Sequence, residues 1–311
     1  MSPKDKQESD PPVLLRGGRT DHTPSQSYGG ASMGKERAER SHEQSNHAAG
    51  TTVPRKSVSS TLLGLREKAR KEPKHRFRSL YREINLPMLY ECFYELRRNA
   101  ATGVDGVSVE DYEKDLDENL RGLLKRLIEK RYRAQHVRRR HIPKGGGKMR
   151  PLGIPALEDK IVQLAASKLL QAIYEVDFLD ESKGYRPNRG ARDASQELRE
   201  RLVFERVHWV VEADIKGFFD NVDHDWLERM LRQRVDDTAF IRLIRKWLKA
   251  GILEEAGQVI HPATGTPQGG IILLPSVGLR PTLRVAHLRF APSPILANIY
   301  LHYVLDLWMR K

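Results

Sequence analysis

The sequence contains a single cysteine, Cys92, among 311 residues, which excludes a disulfide framework and a cysteine-rich zinc site. It has no apolar run close to the length of a membrane-spanning helix. Residues 1–6 lack the apolar segment of a secretory signal, and a protein almost without cysteine suits a reducing compartment. We therefore expect a cytoplasmic protein that has no membrane partner.

Acidic residues are fewer than basic ones, with 41 Asp+Glu against 54 Lys+Arg and a formal net charge of +13. Between Arg121 and Arg150 the chain has twelve Lys or Arg and one acid, Glu129, a net +11. A solvated helix face often explains such a run. Here the run continues past the end of the predicted helix, which favours a polyanionic partner, with nucleic acid ahead of a membrane surface.

Apolar side chains are sparse over residues 1–60, which are rich in Ser, Gly, Pro, His, Gln and charge. Such a segment cannot bury enough surface to offset the entropy lost on ordering. We predict a disordered polar and basic tail over residues 1–60.

The remaining chain alternates between helical and strand patterns, which predicts an α+β fold with antiparallel strands packed on helices. Basic residues flank a predicted strand–glycine turn–strand unit, in which Lys144 and Arg150 would face one space. A triphosphate would fit between an arginine fork and a lysine point charge. Helices are predicted at about 62–70, 86–98, 108–130, 158–174, 191–202, 225–234 and 238–250, with a hairpin at 253–260.

A β-branched and aromatic run from Val207 to Ala213 predicts a buried strand that ends at Asp214. Asp220, Asp223 and Asp225 follow closely. A carboxylate at the end of a buried strand is costly unless a partner such as a divalent metal pairs with it. Alternatively, Asp214 caps a turn and the later acids begin a helix near His224.

Four stretches agree in order and spacing with one family: 144–155, 184–190, 213–224 and 265–270. Together they resemble the reverse transcriptase encoded by bacterial group II introns, a multifunctional reverse transcriptase and maturase. The resemblance covers about residues 65–311. It implies an N-terminal extension and right-hand polymerase fingers over 61–205 and an incomplete palm over 206–311. It also implies a bacterial cytoplasmic enzyme whose partners are group II intron RNA, an RNA template with a DNA primer, and dNTPs.

The resemblance implies roles for single residues. Asp214 would be the first metal-binding carboxylate, shared by two Mg²⁺ ions, and the backbone carbonyl of Ile215 would help to hold one of them. Phe219 would lie beneath the incoming sugar and exclude a 2′-hydroxyl. Lys144 and Arg150 would bind the triphosphate, and Gln268 would position the nucleotide and template. The RNA contacts that we predict are Arg138, Arg139, Arg140, Arg186 and Arg189.

The sequence departs from the family pattern in two places. The Tyr-Ala-Asp-Asp hairpin that completes the family's metal site does not occur before Lys311, so we expect a truncated and inactive polymerase. In addition, residues 273–292 are inserted between the glutamine motif and Ser293-Pro294. A non-catalytic fragment that binds intron RNA, as a maturase does in splicing, is the alternative function. A decayed remnant that does not fold stably is a third.

Overall fold

The computed structural model describes residues 57–144, 147–261, 263–265 and 295–310, without the side chains of Lys144, Lys148 and Arg150. The predicted tail therefore lies almost entirely outside the described residues, as do Gln268 and the 273–292 insertion. Helices are α1 (Val58–Lys71), α2 (Leu80–Glu83), α3 (Leu86–Glu95), α4 (Val109–Lys114), α5 (Leu116–Ile128), α6 (Leu157–Tyr174), α7 (Ala191–Phe204), α8 (His224–Leu231), α9 (Thr238–Leu248), α10 (Ile295–Leu301) and α11 (Leu307–Met309). A short 3₁₀ turn covers Phe218–Asp220, and a π-helical turn at His302–Asp306 joins α10 to α11.

The strands are β1 (Val137–Lys144), β2 (Lys148–Ile154), β3 (Ile252–Leu253) and β4 (Val259–Ile260). They form a sheet in the order β2-β1-β3-β4. The β1–β2 and β3–β4 pairs are antiparallel, whereas β1 and β3 run parallel. The mixed helix and strand content confirms the predicted α+β class.

Helix α6 forms the centre of the core, and α1, α3 and α10 pack against it. The sequence predicts an amphipathic helix here, but nearly all of α6 is buried, including Lys160 and Lys168. The prediction of a single exposed face was therefore wrong, because helices cover α6 on several sides. None of the described helices is both long and apolar enough to cross a bilayer.

Most predicted helix boundaries agree with the structure to within a few residues. The predicted 108–130 helix is divided at Asp115, where the backbone leaves the helical region (φ −122°, ψ 42°). Ser108 begins α4 as predicted, since its hydroxyl accepts a hydrogen bond from the Asp111 N–H at 3.0 Å. The helical spacing places Ile128 on the apolar stripe of this helix, but its side chain is exposed at the end of α5.

The loop before α2 is fastened to the segment between α8 and α9. The Phe77 N–H donates to the Arg234 carbonyl at 2.8 Å, and the Asp236 N–H donates to the Phe77 carbonyl at 2.7 Å. The buried Arg234 guanidinium donates to the carbonyls of Ala69 and Glu72 and pairs with Asp177. Residues of the predicted fingers and palm thus share one core and one sheet.

Candidate functional site

Asp214 lies in an extended, exposed segment rather than at the end of a buried strand. Residues 206–215 form no strand, and the Trp209 and Val211 side chains are each 88% exposed. The predicted buried strand is therefore wrong in this structure. A strand needs neighbouring backbone partners, and no described strand pairs with this segment. Within the described chain, no hydrogen bond or ion pair engages the Asp214 carboxylate.

A tight turn follows Asp214 and orients Phe219. Gly217 adopts a left-handed conformation (φ 62°), and its carbonyl accepts a hydrogen bond from the Asn221 side-chain amide at 2.8 Å. The Phe218 ring packs edge-on against Phe219 at 5.2 Å and against Tyr300 of α10 at 6.0 Å. Phe219 is consequently half-buried at the surface of the turn, beside an aromatic ring anchored to α10.

The beginning of the predicted glutamine motif is fastened to this same turn. The Gly265 N–H donates to the Val222 carbonyl at 2.8 Å, and the Thr264 hydroxyl donates to the Asp220 carbonyl at 3.2 Å. Gly265 has a φ of +84°, and a Cβ added there would lie 2.6 Å from the Asp220 carbonyl oxygen. Only glycine suits this position, since it combines a left-handed backbone with close contact to another backbone segment.

His224 makes a contact that the sequence did not reveal. Its Nε2–H donates to the Gly265 carbonyl at 2.5 Å, and the residue is buried. The prediction that Asp223 begins the helix is confirmed, because its carboxylate accepts from the N–H groups of Asp225 and Trp226, each at 2.9 Å. The sequence placed His224 only at the helix start. A partner 41 residues further along the chain leaves no local pattern that could identify this contact.

The predicted basic hairpin is present. Arg150 of β2 pairs with Ile142 of β1, Lys144 pairs with Lys148, and Gly147 in the turn has a φ of 71°. The side chains of Lys144 and Arg150 lie outside the described residues, and so does Gln268. Their predicted convergence on Asp214 therefore remains a prediction.

The arginines on β1 are partly engaged by acids near the β3–β4 turn. Arg139 Nε donates to Glu254 at 3.2 Å, and Arg140 lies 3.9 Å from Glu255. These acids lie beside β1 because β1 pairs with β3, a long-range arrangement that local sequence does not reveal. The Arg138 Nε atom is buried and has no hydrogen-bond partner among the described residues. Part of the basic run is thus neutralised within the fold.

Arg186 belongs to the fold rather than to an exposed RNA surface. It is 3% exposed, and its guanidinium donates to Glu175 at 3.0 Å and to the Ser182 carbonyl at 2.8 Å. A buried side chain with its donors engaged internally is not available to RNA, so we correct the predicted contact at Arg186. Arg189 is more exposed and pairs with Asp180 at 2.7 Å.

The donor set for a metal is incomplete within the described residues. Asp214 offers a carboxylate and Ile215 a backbone carbonyl, but no group of three or more His, Cys, Asp or Glu there is arranged to hold an ion. Mg²⁺ needs several oxygen ligands in nearly octahedral geometry. These two groups alone do not fit a two-ion site.

Comparison with known proteins identifies the class. Residues 142–273 match the family model described as reverse transcriptase (RNA-dependent DNA polymerase). The chain is 37% identical over 240 residues to the group II intron-encoded protein LtrA of Lactococcus lactis subsp. cremoris, covering 75% of this chain and 36% of that protein. It is 36% identical over 203 residues to protein YkfC of Escherichia coli K12, covering 64% of this chain and 48% of that protein.

A solved chain of a partial Cas6-RT-Cas1–Cas2 complex matches with a TM-score of 0.40 and 23% identity, covering 70% of this chain and 32% of that one. The relatives named above are longer, and this chain spans between about a third and a half of their length.

The mixed fold and the matched domain define a reverse-transcriptase domain. Residues 142–273 carry the match to the reverse-transcriptase family, and over three quarters of its length the chain is similar to a group II intron-encoded protein. The predicted family is thereby confirmed. Reverse transcriptases as a family use divalent metal ions.

Proposed function

We propose that this chain supplies an N-terminal extension with the fingers, over residues 61–205, and the first part of the palm, over 206–311, of an RNA-directed DNA polymerase. The observation that carries the proposal is the attachment of Thr264 and Gly265 to the Asp220–His224 segment. This attachment joins the stretch that leads to Gln268 to the turn that carries Phe219 and follows Asp214. Two stretches that the resemblance assigns to nucleotide binding are therefore neighbours.

The proposed roles follow the predicted site. Phe219 would contact the sugar of the incoming dNTP, Lys144 and Arg150 would bind its triphosphate, and Gln268 would position the nucleotide on the template. The partners would be an RNA template with a DNA primer, dNTPs and the RNA of a group II intron. Arg138, Arg139, Arg140 and Arg189 would contribute positive charge near that RNA.

Asp214 and the Ile215 carbonyl would serve as two ligands of the proposed two-Mg²⁺ site, with further ligands from outside the described residues. Bound divalent ions would stabilise the attacking and leaving oxygens of phosphoryl transfer. The described residues would contribute by positioning: Gly217 turns the backbone after Asp214, and Tyr300 of α10 packs against Phe218.

The test combines binding and primer extension on an RNA template annealed to a DNA primer, with Mg²⁺ and dNTPs. We expect salt-dependent binding of the template–primer. We expect no extension by this chain, because Asp214 is the one carboxylate that the resemblance assigns to the metal site, and a single carboxylate cannot organise two ions. Photo-crosslinking of a dNTP should exceed that of the matching rNTP, and Phe219→Ala should remove the difference. Phe178→Leu, which changes a ring that packs against Tyr174 and His302, should not.

Each outcome bears on the proposal. Failure to bind the template–primer would overturn it. Extension that persists in Asp214→Ala would overturn the assignment of Asp214, whereas extension abolished by Asp214→Ala would support the polymerase and contradict the expected inactivity. RNA binding without dNTP crosslinking would instead support the non-catalytic, maturase-like alternative.

A further inference from the structure

The outer face of α9 is rich in basic residues and has no acidic ones. The buried face consists of apolar residues: Phe240, Ile241, Leu243, Ile244, Trp247 and Leu248. The opposite face carries Arg242, Arg245, Lys246 and Lys249, with no acid among them. Like charges three and four residues apart on a helix repel each other by a few tenths of a kcal/mol per pair, about 0.2–0.5. Within the described residues, Arg242 and Lys249 have no acidic partner to offset this repulsion.

The segment that follows α5 lies along the C-terminal half of α9. The Lys246 ammonium donates to the Tyr132 carbonyl at 2.6 Å, and the Trp247 indole N–H donates to the Tyr132 hydroxyl at 2.9 Å. Further along, the Val137 N–H donates to the Gly251 carbonyl at 3.0 Å. These contacts hold Arg133, which is exposed, beside the basic face of α9.

The nearby acids are already engaged. Arg245 pairs with Asp225 at 2.5 Å and with Glu228 at 2.8 Å. Burial lowers the pKa of Lys246, and the charge of Arg133 lowers it further. Arg133, Arg242 and Lys249 form no ion pair within the described part of the chain. We call these three residues together with Lys246 the cationic ridge.

We propose that the cationic ridge binds the phosphate backbone of RNA, an inference that rests on the proposed function and adds a contact surface outside the nucleotide site. From Arg242 to Lys249 the helix rises about 10 Å. Phosphates follow one another every few ångströms along a nucleic-acid strand, about 3.4 Å of axis in duplex DNA, so the ridge can meet several phosphates at once. The ridge consists of Arg and Lys and includes no Asn or Gln, whose amides read base edges. This composition suits contact with phosphates rather than sequence recognition.

The experiment measures RNA affinity of the full chain over a salt series, with a structured RNA as the probe. The variant is Arg133→Gln/Arg242→Gln/Lys249→Gln, which leaves Lys246 and its bond to Tyr132 in place. The matched control is Lys68→Gln/Lys71→Gln/Lys74→Gln, which removes the same charge from exposed positions on α1 and the loop after it. Thermal unfolding of all three proteins checks that the fold is retained.

Affinity falls as salt rises, so the slope of log affinity against log salt is negative. We expect the ridge variant to make this slope shallower by about 2, and the control to change it by less than about 0.5. Equal changes in both variants would overturn the ridge, since bulk charge would then explain the binding. Competition by polyglutamate as strong as competition by RNA would also overturn it, in favour of an acidic protein partner. If the wild type binds RNA and the ridge variant has the same affinity and salt dependence, the ridge proposal is refuted and the proposed function is not. Absence of wild-type RNA binding refutes the ridge and the proposed function together.

Discussion

The His224 Nε2 atom lies 2.5 Å from the Gly265 carbonyl oxygen and joins the start of α8 to the stretch that precedes Gln268. Both groups are buried, so removing the donor leaves a carbonyl without a partner. The contact explains how residues 41 positions apart come to share one site.

We expect His224→Ala to destabilise this attachment by about 1–3 kcal/mol, because the Gly265 carbonyl loses its donor. Hydrogen exchange should accelerate at the Gly265 amide, which donates to Val222, more than at amides of α6. His224→Gln, which keeps a side-chain N–H donor, should restore part of the protection. Unchanged exchange at Gly265 in His224→Ala would show that the contact does not hold the loop.

Gly265→Ala should destabilise the protein more than Gly257→Ala does. Both glycines have a positive φ, +84° and +83°, but an added Cβ meets the Asp220 backbone at Gly265 and open space at Gly257. The backbone strain of about 1–2 kcal/mol is common to both variants, and the clash adds about 1–3 kcal/mol at Gly265. Urea unfolding measures the difference. Equal losses would mean that the close contact with Asp220 relaxes freely.

Lys168→Met should cost about 3–5 kcal/mol of stability. The Lys168 ammonium is buried and lies 2.5 Å from a carboxylate oxygen of both Glu91 and Glu95. Burial opposes its charge, but the neighbouring Cys92, Glu95 and Glu91 outweigh burial and raise the pKa of Lys168. Burial also raises the pKa of Glu95, and Lys168 opposes that shift. Because Lys168 forms two direct ion pairs, we expect it to be charged.

Chemical denaturation of Lys168→Met, compared with Lys114→Met, measures this cost. Lys114 forms an exposed pair with Asp111, for which a loss below about 1 kcal/mol is expected. Adding Glu91→Gln and Glu95→Gln to Lys168→Met should recover stability, because no unpaired charge then remains buried. A loss in Lys168→Met no larger than in Lys114→Met would contradict the proposed buried pairing.

Stability should fall as the pH rises from about 4 to 6 because of Asp159. Burial raises the pKa of Asp159 to about 6, although Tyr132 and the Gln135 N–H both donate to its carboxylate. An unfolded Asp loses its proton near pH 3.9, roughly, so over this range the folded state binds more protons than the unfolded state. This group therefore lowers stability by up to about 1.4 kcal/mol per pH unit.

Asp159→Asn should remove that component of the pH dependence, whereas Glu118→Gln, at an exposed position on α5, should leave it intact. Denaturant midpoints at pH 4, 5 and 6, roughly spanning the two pKa values, provide the comparison. An identical pH profile for Asp159→Asn and wild type would exclude Asp159 as the source.

Trp209→Ala should change stability by less than about 0.5 kcal/mol, because its side chain is exposed. Trp247→Ala should cost about 3–5 kcal/mol, since Trp247 is 3% exposed and donates to Tyr132. Quenching of tryptophan fluorescence by iodide should also fall more in Trp209→Ala than in Trp247→Ala, because iodide reaches exposed side chains. A large stability loss in that variant would indicate that residues 207–211 form the buried strand that the sequence predicts.

Features that depend on residues close together in the sequence were predictable, and features that depend on distant residues were not. The cap at Ser108, the glycine turn between β1 and β2 and the hairpin around Gly257 were predictable, because each depends on a few consecutive residues. Burial of α6 on several sides was not, because it depends on distant helices.

The sequence alone determined the family, since its motifs keep their order and spacing whatever the fold does with each side chain. It also indicated the glycine turn between β1 and β2. Only the tertiary structure assigned Arg186 to an internal network, exposed the Val207–Val211 run and joined His224 to Gly265. The reason is that burial, strand pairing and long-range hydrogen bonds depend on which segments become neighbours, and local residue patterns do not specify those neighbours.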